Sequence, residues 1–192
     1  MQYHVVTFTH TKIIGWAIYL YAHIKYLKKL LKEDKLQISG PGVGTPVRSA
    51  QLVFKVTDRD ELDRLIAGDP YYVHGLVASL TVNLWNVDYG SMLKPAVPDK
   101  KGTRYFRATF ALNEGTDISD VAEERDDYIR RLINEKKLRA SGFYVNHPTS
   151  GLSILSVANT AEAETIMRND PLVAKLGAEY QVIQWDPRFG EF

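Results

Sequence analysis

YLKKLLKEDKLQISG, residues Tyr26–Gly40, returns 102 positions later as YIRRLINEKKLRASG, residues Tyr128–Gly142, with 7 of the 15 positions identical and others exchanging Leu for Ile or Lys for Arg. A period of that length is a whole small domain, not a solenoid repeat. Working outward, the same offset pairs Tyr3, Thr7 and Phe8 with Tyr105, Thr109 and Phe110. One slip pairs Asp69-Pro70 with Asp170-Pro171, and another pairs Trp85 with Trp185. Between the copies, DYGSMLKPAVPDKKGT (Asp88–Thr103) is rich in Pro, Gly and Lys and has no periodicity, which reads as a linker. The expected division is residues 1–87, a linker over 88–103, and residues 104–192.

Each copy reads in the same order. Tyr3–Thr9 is β-branched and aromatic, as a strand requires, and Trp16, Leu20, Leu27, Leu30 and Leu31 then recur at helical spacing. Leu36–Gly40 and Gln51–Val56 flank the turn-forming GPGVGTP, which predicts a hairpin. Asp58 with Glu61 has the spacing of a capping box, Gly68 and Pro70 close that helix, and Val77–Val87 is the last strand. In the second copy Asn159 and Glu162 take the capping positions. The order β-α-β-β-α-β predicts an α+β protein of two tandem ferredoxin-like units, each an antiparallel sheet with both helices on one face. Strands such as FRATFAL and QLVFKV are apolar on both faces, so the face without helices also needs a cover. The simplest cover is the other copy's sheet, which predicts an intramolecular α+β barrel, a pseudo-dimer within one chain. Whether two chains associate further as a homodimer stays open.

Composition removes several classes of function. The 24 basic residues are matched by 23 acidic ones, so no excess charge is present to neutralise phosphates, and nucleic acid is not an expected partner. Lys25, Lys28, Lys29 and Lys32 form a solvated helix face without interleaved aromatics. The longest apolar run, Ile13–Ala22, is well short of the roughly 20 residues of a membrane span, and the start lacks the pattern of a secretory signal, so a cytoplasmic protein without membrane contact is expected. With no cysteine there is no disulfide frame, thiol nucleophile or Cys-based metal site. GPGVG at Gly40–Gly44 lacks the lysine and the strand-to-helix setting of a phosphate loop. His4 and His10 share a strand face but no third ligand of suitable spacing accompanies them, so neither metal nor cofactor is expected.

The string YAHIKYL (Tyr21–Leu27), followed by LQISGP, by Gly68-Asp69-Pro70-Tyr71 with Gly75-Leu76, and by a strand ending in Trp85, resembles the YciI-like (YCII-related) family. The resemblance runs through both copies. It implies dimeric α+β barrels of ferredoxin-like units, in agreement with the architecture read from the repeat. The family includes small enzymes of aromatic breakdown, among them a dehydrochlorinase acting on hydroxylated chloroaromatics, and muconolactone isomerases share the barrel type. It also implies a catalytic pair, a His on the first helix and the Asp of the Asp-Pro, which fall here on His23 and Asp69. In the second copy Asp170 is kept but Arg125 stands where His23 would, so only the first copy carries the full pattern.

His23 lies three residues after Leu20 and four before Leu27, which turns it toward the apolar face. A core histidine bonded to a backbone carbonyl would satisfy the same spacing, and so would a general base held by a carboxylate. Asp69 before Pro70 suits the N-cap of a short helix, a role compatible with a carboxylate oxygen facing a cleft. Tyr26, three residues from His23, and Tyr72 are candidates to hold a substrate, and Tyr71 and Tyr72 together suit the lining of an aromatic-sized pocket. Ser39 is a further candidate substrate contact, although the recurrence of Ser-Gly at Ser141-Gly142 fits hairpin geometry as well. The expectation is a small, cofactor-free enzyme moving a proton on an aromatic-type or lactone-type metabolite, an isomerase or an eliminating lyase. The alternative is a non-catalytic binding or interaction protein.

Overall fold

The computed structural model describes residues 1–10, 13–45, 47–92 and 103–187. The chain divides into two compact units, the first built on Met1–Leu84 and the second on Trp85–Met92 and the chain up to Trp185.

In the first unit the elements are β1 (Gln2–His10), α1 (Ile13–Lys32), β2 (Leu36–Val43), β3 (Ser49–Val56), α2 (Arg59–Ala67), the single turn α3 (Pro70–Val73) and β4 (Val77–Trp85). The strands are ordered β4-β1-β3-β2, the ferredoxin-like order, with β3 antiparallel to both β1 and β2. Val6 faces Leu52 across the first ladder and Phe8 faces Ala50, so alternate residues line one side. That side meets the helices: Val6, Phe8, Leu52 and Phe54 form one buried cluster with Leu27 and Leu30 of α1 and Leu62 and Ile66 of α2. Each such side chain contributes about 1.5–3 kcal/mol on burial.

The second unit repeats the plan with β6 (Arg104–Ala111), α4 (Ala122–Asn134), β7 (Leu138–Phe143), β8 (Ser150–Val157), α5 (Thr160–Asn169), α6 (Pro171–Ala174) and β9 (Glu179–Trp185). A strand outside the repeat, β5 (Tyr89–Gly90), precedes them, and the order is β9-β6-β8-β7-β5. The segment read from sequence as a linker thus begins with structure: Tyr89 and Gly90 pair with Ser141 and Ala140 of β7. Two residues are too few to show a period, which is why the sequence carries no sign of them. Residues 93–102 of that segment lie outside the described residues.

The repeat extends to fine detail. In each unit the register slips by one residue, between Leu36 and Ile38 and between Leu138 and Ala140, so the bulge recurs at the same place. Two residues past the end of the first long helix of each copy stands a residue with positive φ, Asp34 (55°) and Lys136 (60°), and the following amide closes back onto Leu30 or Leu132. This is the left-handed helix stop that glycine usually serves, here made by charged residues. The anticipated capping boxes are present with one change. Asp58 and Asn159 accept from the amides of Glu61 and Glu162, while the two glutamates accept from Thr57 N and Ala158 N, one residue before the cap. Glu61 also meets Lys35 Nζ at 2.5 Å, and that ammonium with the Thr57 amide holds its carboxyl down to about 2. The GPGVGTP stretch is more strand than turn, since β2 runs on to Val43 and pairs through Pro41.

No helix among the described residues is long and apolar enough to cross a membrane.

Candidate active site

The end of the first unit's sheet nearest the start of α1 encloses a cavity of about 760 Å³, bounded by Phe8, His10, Trp16, His23, Arg48 and Tyr71 among others. The size is that of a small-molecule site.

Asp69 sits in the two-residue gap between α2 and α3. Pro70 disfavours helical backbone at the residue before it, and Asp69 is accordingly extended (φ −71°, ψ 125°), capping α3 by accepting from Tyr71 N at 2.8 Å. The same oxygen, Oδ1, lies 2.8 Å from Nδ1 of His23. Both groups are buried, with side-chain exposures of 11% for His23 and 2% for Asp69. A carboxylate left alone at that depth would cost several kcal/mol, so the two donors are what make its burial tolerable. A carboxylate only accepts, hence Nδ1 carries the proton and donates it. In the neutral ring Nε2 is then the basic nitrogen.

The phenol ring of Tyr71 stacks on His23, with centroids 4.0 Å apart and planes inclined by 12°. Its hydroxyl donates to Trp16 O, which ties α3 to α1. Burial, and after it the Asp69 carboxylate, raise the Tyr71 pKa, so the phenol keeps its proton. The rings of His10 and Tyr71 meet nearly at right angles, with centroids 5.4 Å apart, and His10 Nδ1 donates to Leu76 O. Burial is the largest of the influences that lower the His10 pKa, so this imidazole stays neutral. The Arg48 guanidinium lies 4.3 Å over the Trp16 ring at the cavity wall.

Of the residues singled out by sequence, His23, Asp69 and Ser39 come together, Asp69 bonded to His23 and Ser39 in the cavity wall. Tyr26 does not join them. Its hydroxyl donates to Leu65 O, the bond that Tyr128 repeats with Ile166 O, so this recurring pair of tyrosines staples helix to helix within each unit. Tyr72 is 44% exposed and its neighbour Tyr71 takes the place inside, because the cap fixes the second helical residue inward and the third outward. The recurring Ser-Gly has a reason other than a turn: a Cβ on Gly142 would run into the backbone of Asn86, and one on Gly40 into that of Asp186. His10, Trp16 and Arg48 were not anticipated as site residues. Trp16 was findable, lying seven residues and two turns before His23; nothing in the sequence marks Arg48.

The second unit places Arg125 Nε 3.2 Å from Oδ1 of Asp170, which caps α6 through Leu172 N as Asp69 caps α3. At the repeat offset His10 becomes Leu112, and Tyr71 corresponds to Leu172. The carboxylate and its helix are kept while both imidazoles and the stacked phenol are gone. Among the described residues no group of three or more His, Asp or Glu is placed to hold a metal ion.

The model of the YCII-related domain matches residues 18–86, from the first helix through the last strand of the first unit. Over those residues the chain is similar to the YCII-related family. The matched segment contains His23, Asp69 and Tyr71, with the stacked and capped geometry described. No curated protein matches the sequence. Among solved structures, the chain is similar to a candidate monooxygenase of Fusobacterium nucleatum (TM-score 0.68, 9% identity, 97% of this chain and 91% of that one). It is also similar to a heme-binding protein of Thermus thermophilus (TM-score 0.60, 12% identity, covering 96% and 90%) and to chlorite dismutase of Candidatus Nitrospira defluvii (TM-score 0.61, 10% identity, covering 97% and 91%). At these identities the likeness is one of fold.

Proposed function

We propose that the first unit is a cofactor-free acid/base catalyst acting on a small aromatic-type or lactone-type metabolite, as an isomerase or an eliminating lyase. The observation that carries the reading is the 2.8 Å bond between two buried groups, His23 and Asp69, at the wall of a cavity large enough for a single-ring compound. Nε2 of His23 takes a proton from a carbon of the substrate, and Asp69 holds the tautomer and offsets the charge of the imidazolium that forms. In an isomerisation the proton returns to a different carbon of the same skeleton. In an elimination the electron pair of the broken C–H bond becomes the new double bond and the leaving group departs with its own pair. Trp16 offers a ring face to a planar substrate, Arg48 a cation at the rim, and Ser39 a hydroxyl.

Hydrogen–deuterium exchange reports abstraction of a carbon-bound proton whatever the product is. A panel of hydroxylated aromatics and unsaturated lactones in D₂O, followed by mass spectrometry, is expected to show catalysed exchange or turnover of at least one member. His23→Gln and Asp69→Asn each reduce that rate by about 10²–10⁴-fold, the range of general base catalysis, with cooperative unfolding retained. Full rates in both variants would overturn the assignment.

A second reading, a protein that binds such compounds without turning them over, is favoured by Arg125, since the second copy does without the histidine. Binding without exchange anywhere in the panel is its signature. We further infer that the first unit's sheet face turned away from the helices is covered in the folded protein. Val5, Ile38 and Val53 point to that side, opposite Val6 and Leu52, and all three are apolar.

A further inference from the structure

We propose that the cavity of the second unit is a separate binding site, for a compact, uncharged ring compound that presents an acceptor oxygen to Arg125. The inference stands apart from the catalytic reading of the first unit. The Arg125 side chain is 5% exposed, and its Nε serves Asp170, but Nη2 is buried with no acceptor. Guanidinium N–H groups cannot be silenced by deprotonation, so a buried one without an acceptor is a standing demand for an oxygen. Three ring faces surround the same group, with its central carbon 5.2 Å from Phe110, 5.3 Å from Phe143 and 5.7 Å from Tyr89. Of these rings Tyr89 and Phe143 line the cavity together with Leu172, and they favour a flat apolar body.

The cavity measures about 380 Å³, half that of the first unit. A cavity of about 150 Å³ already accepts benzene, so one substituted ring fits here. Charge then selects the ligand. Arg125 is neutralised by Asp170, and Arg130 at the rim is neutralised by Asp126 at 2.6 Å. Asp88, also in the wall, adds a further negative charge. An anionic ligand would bring an uncompensated charge into this balance, whereas a carbonyl or lactone oxygen supplies the acceptor and no charge. Arginine does not accept a proton at neutral pH, so the site binds and does not turn over.

The test is a titration of the full chain, observed through backbone amides and the Arg125 side-chain N–H resonances, with benzamide, benzoate and toluene as probes. Benzamide is expected to shift the Phe143 and Leu172 amides and the Arg125 resonances saturably, binding at least tenfold tighter than toluene, which lacks the acceptor, or benzoate, which is charged. Arg125→His rebuilds the His–Asp pair that the first unit already accommodates, and its Nδ1–H to Asp170 leaves Nε2 an acceptor facing another acceptor. Benzamide affinity is expected to fall at least tenfold. Unmoved resonances in the parent protein, or undiminished affinity in Arg125→His, overturn the proposal and assign the Nη2 hydrogens to the faces of Phe110 and Phe143. Tighter binding of benzoate than of benzamide overturns it in favour of an anion site.

Discussion

Tyr71 does three things at once: it floors the His23 ring, bonds to Trp16 O and supplies the amide that Asp69 caps. The roles separate by substitution. Tyr71→Phe removes the hydroxyl bond alone and is expected to cost about 1 kcal/mol of stability in urea denaturation, with activity little changed. Tyr71→Ala removes the stack and leaves a void, for which about 3–5 kcal/mol is expected, together with loss of activity as His23 is freed to tilt. His10 acts through pH. Its pKa is lowered in the folded state, so below about 6.5 the unfolded chain binds more protons than the folded one, and stability falls as the medium turns acid. Thermal midpoints from about pH 8 to about pH 5 should therefore decline, and His10→Leu, the residue found at Leu112, should flatten the decline. His4, also buried and also lowered, contributes the part that remains.

Elements are where the sequence was most legible. Strands, helices and caps follow from period and capping chemistry, and both copies agree, so each supports the reading of the other. What escaped was set by tertiary contact. Tyr89–Gly90 has no pattern of its own and is a strand only because β7 offers it a free edge. Gly40 and Gly142 look like turn residues but are small because another stretch of backbone passes against them. The left-handed stops at Asp34 and Lys136 were equally hidden, since neither is the glycine that usually signals one. The last point can be measured. Lys136→Gly relieves the left-handed strain at that stop. A gain of about 0.5–1 kcal/mol is expected by chemical denaturation, net of the entropy glycine adds to the unfolded chain.

For the whole molecule, apolar residues on both sides of β1 and β3 argue that neither sheet face was made for water. With the face away from the helices covered, Val53→Asp places a charge in an apolar layer and is expected to cost at least about 3 kcal/mol or to yield insoluble protein. An exposed Val53 would give a soluble variant unfolding within about 0.5 kcal/mol of the parent. The candidate site was half legible at this scale. His23 and Asp69 lie 46 residues apart and were joined by family pattern, whereas the wall formed by His10, Trp16 and Arg48 depends on how β1, α1 and the segment before β3 converge.

Asp69 and Asp170 each hold a helix in place whether or not an imidazole is beside them. An acid that the scaffold itself employs cannot drift away, so its presence in a half says nothing of whether that half does chemistry. Anyone sorting working halves from retired ones in such twinned chains should discount the carboxylate and look at what occupies the helix position facing it.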